Sequence, residues 1–302
     1  MSPSSPGPRA LPNWPCYLDG AWTPLNEARV SVLDRGFIFG DAIYEVVPVY
    51  AGHPFRFEHH LARLERSLAE LRIPSPLSHA QWREVADKLV AGLALALHTS
   101  PEKQDCLVYM QVTRGVAMRD HAMVPGLKPT VFAMCNPMTL PGAAARSGGV
   151  ACVTAADFRW EKAHIKTTSL LGAVFARQMA VEAGAVETIM FRQGFLSEAS
   201  SSNVWVVKDG RVAGPLKDNL VLQGIRYGLI EEICKAEGIP FELRRITREE
   251  VMAADELLLS SATKEVLPVT RLDGAPVGKG LPGPIYKHLH AAYERAKLEE
   301  TR

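Results

Sequence analysis

Apolar and polar positions alternate in short stretches at the start of the chain, where YLDGAWT from Tyr17, ARVSVLD to Asp34 and AIYEVVPVYAGHPF from Ala42 read as β-strands. Ala51-Gly52 interrupts the third stretch as a hairpin turn would. The period then lengthens. From Phe57 to Arg72, Leu61, Leu64, Leu68 and Leu71 recur at spacings of three and four, which predicts an amphipathic helix stopped by Pro74 and Pro76. Ser78 is placed to cap a second helix through Trp82, Val85, Leu89 and Leu93, and DCLVYMQVTRG and PTVFAMCNPM read as two further strands.

LPGAAARSGG, from Leu140 to Gly149, is rich in small and turn-forming residues and predicts a linker. Beyond it come a strand from Val150 to Ala155 and a helix around Leu170 to Ala183 with Leu171, Val174 and Phe175 on one side. Strands TIMFRQG, NVWVVKDG and RVAG follow, with turns at Gly194 and Asp209-Gly210. A helix from Gly224 to Glu237 ends at Gly238-Ile239-Pro240, and PFELRRI and ADELLLSSA add β structure. The predicted organisation is a disordered lead-in over 1–16, a small domain over 17–140, the linker over 141–149 and a larger domain over 150–302.

Composition narrows the class. Of 302 residues 47% are hydrophobic and 22% charged, so an ordinary soluble core is expected. Lys plus Arg number 34 against 33 Asp plus Glu, and this +1 balance argues against nucleic-acid or anionic-membrane partners. The most apolar stretch, Leu89 to Leu97, is far shorter than the roughly 20 residues of a spanning helix. MSPSSPGPRALPNWP has neither the basic start nor the apolar segment of a signal peptide. Cys16, Cys106, Cys135, Cys152 and Cys234 lie far apart without a C-x-x-C pair, which suits free thiols, a cytoplasmic location and no structural metal.

A few residues could carry chemistry. Lys166 sits in HIKTTSLLGAV, a polar patch running into an apolar helix, and half-buried lysines can be desolvated toward the neutral amine that forms Schiff bases. Glu198, in FLSEASSSN, is a carboxylate beside a run of hydroxyls that could hold a proton on a partner nitrogen. Gly224-Ile225 opens a helix whose free N–H groups could take a phosphate, and Arg63 stands among apolar neighbours on its helix, as a bidentate anion contact would. Arg119 and His121, two apart in a polar loop, could clamp a carboxylate. Alone, each has an ordinary alternative: a surface lysine, a capping loop, a glycine N-cap, a packing arginine, solvated basic residues. His59-His60 lacks the spacing of a helical metal pair, and no G-x-S-x-G elbow is present.

Four motifs occur together in order: DRGFIFGDAIYEVV at Asp34–Val47, HLARL at His60–Leu64, HIKTTSLLGAV around Lys166 and SEASSSNV at Ser197–Val204. Over about Tyr17 to Asp273 the chain thereby resembles the fold type IV pyridoxal phosphate enzymes, the class IV aminotransferase family. Within it, QVTRG, FRW, LLGAV, SSSNV and DELLLSSA resemble the bacterial D-amino acid transaminases. The resemblance implies an α/β (α+β) architecture, with a small N-terminal α/β domain and a larger C-terminal domain built on a mostly antiparallel, barrel-like sheet.

The resemblance also implies roles. Lys166 would hold pyridoxal 5'-phosphate covalently and shuttle a proton, the cofactor passing through its pyridoxamine form. Glu198 would pair with the pyridine nitrogen, and Arg63 with the N–H groups of Ile225 and Arg226 would hold the phosphate. Ser201, Leu222, Gly224, Ser261 and Ala262 complete the implied cofactor site. Tyr44, Arg119 and His121 would grip the substrate α-carboxylate, the last two reaching the neighbouring subunit of a homodimer whose site lies at the interface. The implied substrates are D-amino acids of the D-alanine or D-glutamate type and 2-oxo acids such as 2-oxoglutarate or pyruvate. Two departures stand out. Gly224-Ile225-Arg226-Tyr227 replaces the family's Gly-Ile-Thr-Arg, and Ala262 beside Ser261 stands where relatives carry a second hydroxyl, so either phosphate binding is weaker or the Arg226 side chain substitutes. A branched-chain L-amino acid transaminase, an (R)-selective amine transaminase, an aminodeoxychorismate lyase and a non-catalytic cofactor-binding paralogue remain open alternatives.

Overall fold

The computed structural model describes residues 11–301, so most of the expected lead-in lies outside the described residues. Strand β1 (Pro15–Leu18) turns through Asp19-Gly20, both at positive φ, into β2 (Ala21–Pro24). Cys16 is already fully buried, so ordered chain starts ahead of Tyr17. ARVSVLD is not a strand: it is loop and turn with Val30 and Val32 exposed, and only Asp34 bridges to Val116. That alternation has no neighbouring strand to pair with. Its last residue instead caps α1 (Arg35–Phe39), Asp34 accepting from Gly36 N, and Gly40 ends the helix at φ 65°.

Strands β3 (Ala42–Tyr50) and β4 (His53–Pro54) form the expected hairpin, and α2 (Phe57–Glu70) follows. Helix α3 (His79–Ala96) starts with a capping box between Ser78 and Gln81. With β5 (Cys106–Thr113) and β6 (Thr130–Pro137) the first sheet is complete, in the order β2-β1-β6-β5-β3-β4 and antiparallel throughout. Leu61, Leu64 and Leu68 of α2 and Trp82, Leu89 and Leu93 of α3 bury their apolar faces in one cluster with Val47, Val108 and Val112.

The predicted linker contains a short helix, α4 (Ala143–Gly148). Strand β7 (Val150–Ala156), α5 (Leu171–Glu182), β8 (Glu187–Arg192), β9 (Phe195–Ala199), β10 (Asn203–Lys208) and β11 (Arg211–Gly214) follow. Then come α6 (Ile225–Ala236), β12 (Phe241–Leu243), α7 (Arg248–Met252), β13 (Glu256–Ser261), β14 (Glu265–Leu272), β15 (Ala275–Pro276) and α8 (Pro284–Glu300). Helices α1, α7 and α8 and strands β9, β14 and β15 are not foreseen from the sequence pattern. Glu198, read as a loop carboxylate, sits on β9.

The second sheet runs β12-β11-β10-β13-β14-β7-β8-β9, with β15 on β14. Its parallel pairs are β11/β12, β14/β7 and β7/β8, and the rest are antiparallel. Chain connectivity forces this sheet to curl. Five strand steps separate β9 from β10, about 24 Å if flat, yet Ser200–Ser202 must span the gap with a reach of about 14 Å. The result is a half-barrel with Ile189, Val204, Leu257 and Leu259 inside it. A third cluster joins Tyr50, Phe55 and Met138 of the first half to Trp205, Tyr227, Ile230 and Tyr293 of the second. No helix among the described residues is long and apolar enough to cross a membrane.

Candidate active site

A cavity of about 1210 Å³ is lined from β3, α2, the segment around 158–178, the turn after β9, the start of α6 and the turn after β13. Lys166 reaches its wall without belonging to a helix or strand. Its segment pairs along β3: Tyr44 N donates to Lys166 O at 2.9 Å, Thr168 N donates to Ala42 O at 3.0 Å, and Ile43 bridges Thr167. The hydroxyls of Thr167, Thr168 and Ser169 all donate to Gly40 O, which explains the polar patch before α5. This pairing puts Lys166 Nζ 4.1 Å from the Tyr44 ring centroid, and Tyr44 is itself stacked on Tyr109.

Glu198 is buried on another part of the wall. One carboxylate oxygen accepts from Asn203 Nδ2 and from Leu222 N, each at 3.2 Å, and the other contacts the Arg159 guanidinium. Burial pushes Glu198 up to about 7, against the opposing pull of Arg159 and the Leu222 N–H. Arg159 is gripped in turn by Asp157, which donor contacts from Arg159 hold at about 2 although burial alone would raise it.

Glu45, next to Tyr44, is fully buried and accepts from Arg63 Nε and Nη2 at 2.7 Å each, and it meets His60 Nδ1 at 2.7 Å. Burial alone would raise its carboxyl; the Arg63 guanidinium overrides this and keeps it well below the usual carboxylate range. Burial pushes His60 down to about 4, so its ring is neutral near pH 7, Nδ1 donates to Glu45, and Nε2 has no partner. Arg63 Nη1 reaches Gln223 O at 3.0 Å, tying α2 to the residue before the α6 cap.

Helix α6 begins at Gly224 with no side-chain cap, so the first N–H groups of Ile225 and Arg226 face the cavity end uncapped. A Cβ on Gly224 would fall 2.1 Å from Asn203 Oδ1, so this corner accommodates glycine alone without displacement. The Arg226 guanidinium is turned to the protein interior, 5.3 Å from the Phe55 ring centroid, with Nε donating to Tyr293 Oη at 3.2 Å.

The hydroxyl run after Glu198 serves a different acid. Ser200, Ser201 and Ser202 all donate to Glu187, Ser201 at 2.5 Å and Ser202 at 2.9 Å, and Lys264 Nζ donates to the same carboxylate at 2.8 Å. Ser201 therefore offers the cavity a lone pair and no proton. Leu222 binds through its backbone, its carbonyl accepting from Asn203 Nδ2 at 2.9 Å, and Ser261 Oγ accepts from Lys264 N while Ala262 only borders the cavity. Arg119 and His121 are exposed and do not line it; both lie about Phe39, which does, at 5.4 Å from its ring. Sequence reasoning assigns no role to Glu45, His60, Asp157, Arg159, Asn203 or Glu187. The signals were a charge inside a β-run at Glu45 and the D-x-R spacing at Asp157–Arg159.

Residues 42–272 match the family model described as amino-transferase class IV, and the chain belongs to that family and is an aminotransferase-class enzyme. It is 37% identical over 283 residues to a D-alanine aminotransferase of Bacillus licheniformis, covering 94% of this chain and 97% of that one. It is also 36% identical to a D-alanine aminotransferase of Staphylococcus aureus (strain MSSA476), over 92% and 96% of the two chains. Among solved structures, the branched-chain amino acid aminotransferase of Escherichia coli superposes with a TM-score of 0.82 at 23% identity, over 94% of each chain. A fold IV transaminase of Curtobacterium pusillum gives 0.77 at 26%, over 90% and 92%. These likenesses establish the two-sheet fold type IV architecture for this chain.

Proposed function

We propose that this chain is a pyridoxal phosphate-dependent D-amino acid transaminase, moving the amino group of D-alanine or D-glutamate type donors to 2-oxo acids such as 2-oxoglutarate or pyruvate. The observation that carries the reading is one cavity bearing an amine at Lys166, a buried acid at Glu198 and an uncapped helix start at Gly224–Arg226. The names of the relatives at 36–37% identity give the substrate class.

The residues present fit the cofactor. The Gly224 corner that a Cβ would fill and the cationic Arg63 beside free N–H groups form a receptor for a phosphate-bearing ring. When bound, pyridoxal phosphate supplies an electron sink for the pair left by the Cα–H bond. Lys166 would carry the proton from the donor Cα to C4′ of the cofactor in one half-reaction and from C4′ to the new Cα in the other. Glu198 holds a proton on the ring nitrogen. Arg63 and the N–H groups of Ile225 and Arg226 hold the phosphate; the interior-facing guanidinium of Arg226 and the donor-spent Ser201 contribute less than the resemblance implies. Arg119 and His121, with Tyr44, bind the α-carboxylate across a homodimer interface, and the enzyme works in the cytoplasm.

The test is the visible absorption of the pyridoxal phosphate-loaded chain mixed separately with D-alanine, L-alanine, L-leucine and (R)-1-phenylethylamine. Selective bleaching by D-alanine is the expected result. Bleaching by L-leucine or the amine alone would move the chain to a branched-chain or amine transaminase, and a chain that never acquires a visible band would be a non-catalytic paralogue.

A further inference from the structure

The segment between β5 and β6 carries Arg119 and His121, and α1 holds it at both base and tip. At the base Arg35 N donates to Gly115 O at 2.9 Å, Ala117 N donates to Leu33 O at 3.3 Å, and Asp34 bridges Val116. At the tip Arg35 Nη1 donates at 2.6 Å to the backbone carbonyl of Asp120, the residue between Arg119 and His121.

Arg35 is itself immobilised. Its side chain is 4% exposed, and Nε donates to Asp41 Oδ2 at 2.9 Å. Asp41 is also held by a two-pronged fork from Arg114, at 2.7 and 3.0 Å, and Arg114 Nη2 donates in addition to Leu71 O at 2.7 Å. The Phe39 ring lies 4.8 Å from the Arg35 guanidinium and 5.4 Å from both the Arg119 guanidinium and the His121 ring. An exposed connection without regular structure would otherwise sample many conformations. Here a buried planar fork and one aromatic face hold the backbone and both basic side chains.

We propose that Arg35 is a positioning residue for substrate-carboxylate recognition: anchored on Asp41, it clamps the Asp120 carbonyl over Phe39 and so sets where Arg119 and His121 point. The inference rests on the reading of Arg119 and His121 as the carboxylate-binding pair. Lysine cannot take over this task, because a single ammonium lacks the planar fork that serves Asp41, the Asp120 carbonyl and the Phe39 face together.

The experiment uses the full chain loaded with pyridoxal phosphate and compares Arg35→Lys, Phe39→Leu, Arg119→Ala and the Arg35→Lys/Arg119→Ala double variant, each checked by thermal melting. Arg35→Lys should raise KM for D-alanine about tenfold with kcat within about twofold, because a small misorientation of a binding group is costly. On the Arg119→Ala background the same change should add less than about twofold, since the two residues act as one unit. Amide hydrogen exchange over residues 116–122 should quicken in Arg35→Lys and not in Arg119→Ala. Should Arg35→Lys misfold, Phe39→Leu, which leaves the ion pairs intact, must give the same KM shift and faster exchange. Additive effects of the two arginine changes, or unaltered exchange over 116–122, would overturn the proposal. If Arg119→Ala leaves the D-alanine KM unchanged, the carboxylate reading fails instead, and the exchange data alone decide whether Arg35 holds the segment.

Discussion

Glu198 illustrates how a single side chain is defined by what surrounds it. The sequence shows a carboxylate followed by three serines and invites the idea that the hydroxyls solvate it; in the structure they donate to Glu187, and Glu198 is left with Arg159, Asn203 and the Leu222 N–H. Burial then dominates and raises its pKa from 4.5 to about 7. A raised carboxyl pKa means that the folded chain binds a proton the unfolded chain has lost. Its ionisation therefore costs stability as pH climbs from about 4.5 through about 7, by about 3 kcal/mol in total. Without added cofactor, the unfolding free energy of the native chain should fall relative to that of Glu198→Gln across this range and run parallel above about pH 8. Urea titrations at about pH 5, 6, 7 and 8 measure the difference; a flat difference would mean that Arg159 keeps Glu198 ionised throughout.

Among the elements, those defined by near neighbours were legible. The leucine spacing of α2, the Ser78 cap of α3, the Ala51-Gly52 hairpin and the glycine start of α6 all depend on residues within a turn of one another. The ARVSVLD stretch shows the limit, since alternation makes a strand only where an edge is available to pair with. The α6 start also carries a prediction. Gly224 has φ −61° and ψ 148°, which any residue adopts, so the obstacle to alanine is contact and not backbone strain. Its added Cβ would meet Asn203 Oδ1 at 2.1 Å, and moving Asn203 would break its bonds to Glu198 and the Leu222 carbonyl. Gly224→Ala should destabilise the chain by about 1–3 kcal/mol, as overpacked sites do, and weaken pyridoxal phosphate uptake. Thermal melting of the chain and a fluorescence titration with the cofactor read the two effects separately.

For the whole molecule, helix α5 inverts the usual rule for a surface helix. It packs through Ala176 and Ala180 and leaves Leu171, Val174 and Phe175 outward at 70%, 59% and 59% exposure. Phe158, Trp160 and Leu170 are exposed in the segment that leads into it, and all of these side chains except Phe175 also line the cavity, so the apolar face continues from the cavity rim. Clustered large apolar side chains of this kind mark interaction surfaces. Under the homodimer reading this face is covered by a second copy, and sedimentation at micromolar concentration should give twice the chain mass. A Phe175→Asp/Met179→Asp variant, at exposed positions of α5 outside the cavity lining, should sediment as one chain and lose transamination while keeping its secondary structure by circular dichroism. A native chain that sediments singly with full activity would remove the interface from the mechanism.

The sequence by itself determined most of the strands and helices, the family through four ordered motifs and the Gly224 helix start, and it singled out Lys166 and Glu198, because periodicity, turn residues and motif spacing are written locally. Only the tertiary structure decided what those residues can do. Glu45 meets Arg63 across 18 positions, Ser201 gives its proton to Glu187 across 14, and Arg159 reaches Glu198 across 39. No local pattern encodes such pairings. Whether a buried group is a donor, an acceptor, charged or neutral follows from partners that only folding brings within hydrogen-bond distance, in surroundings where desolvation is as large as the interactions themselves.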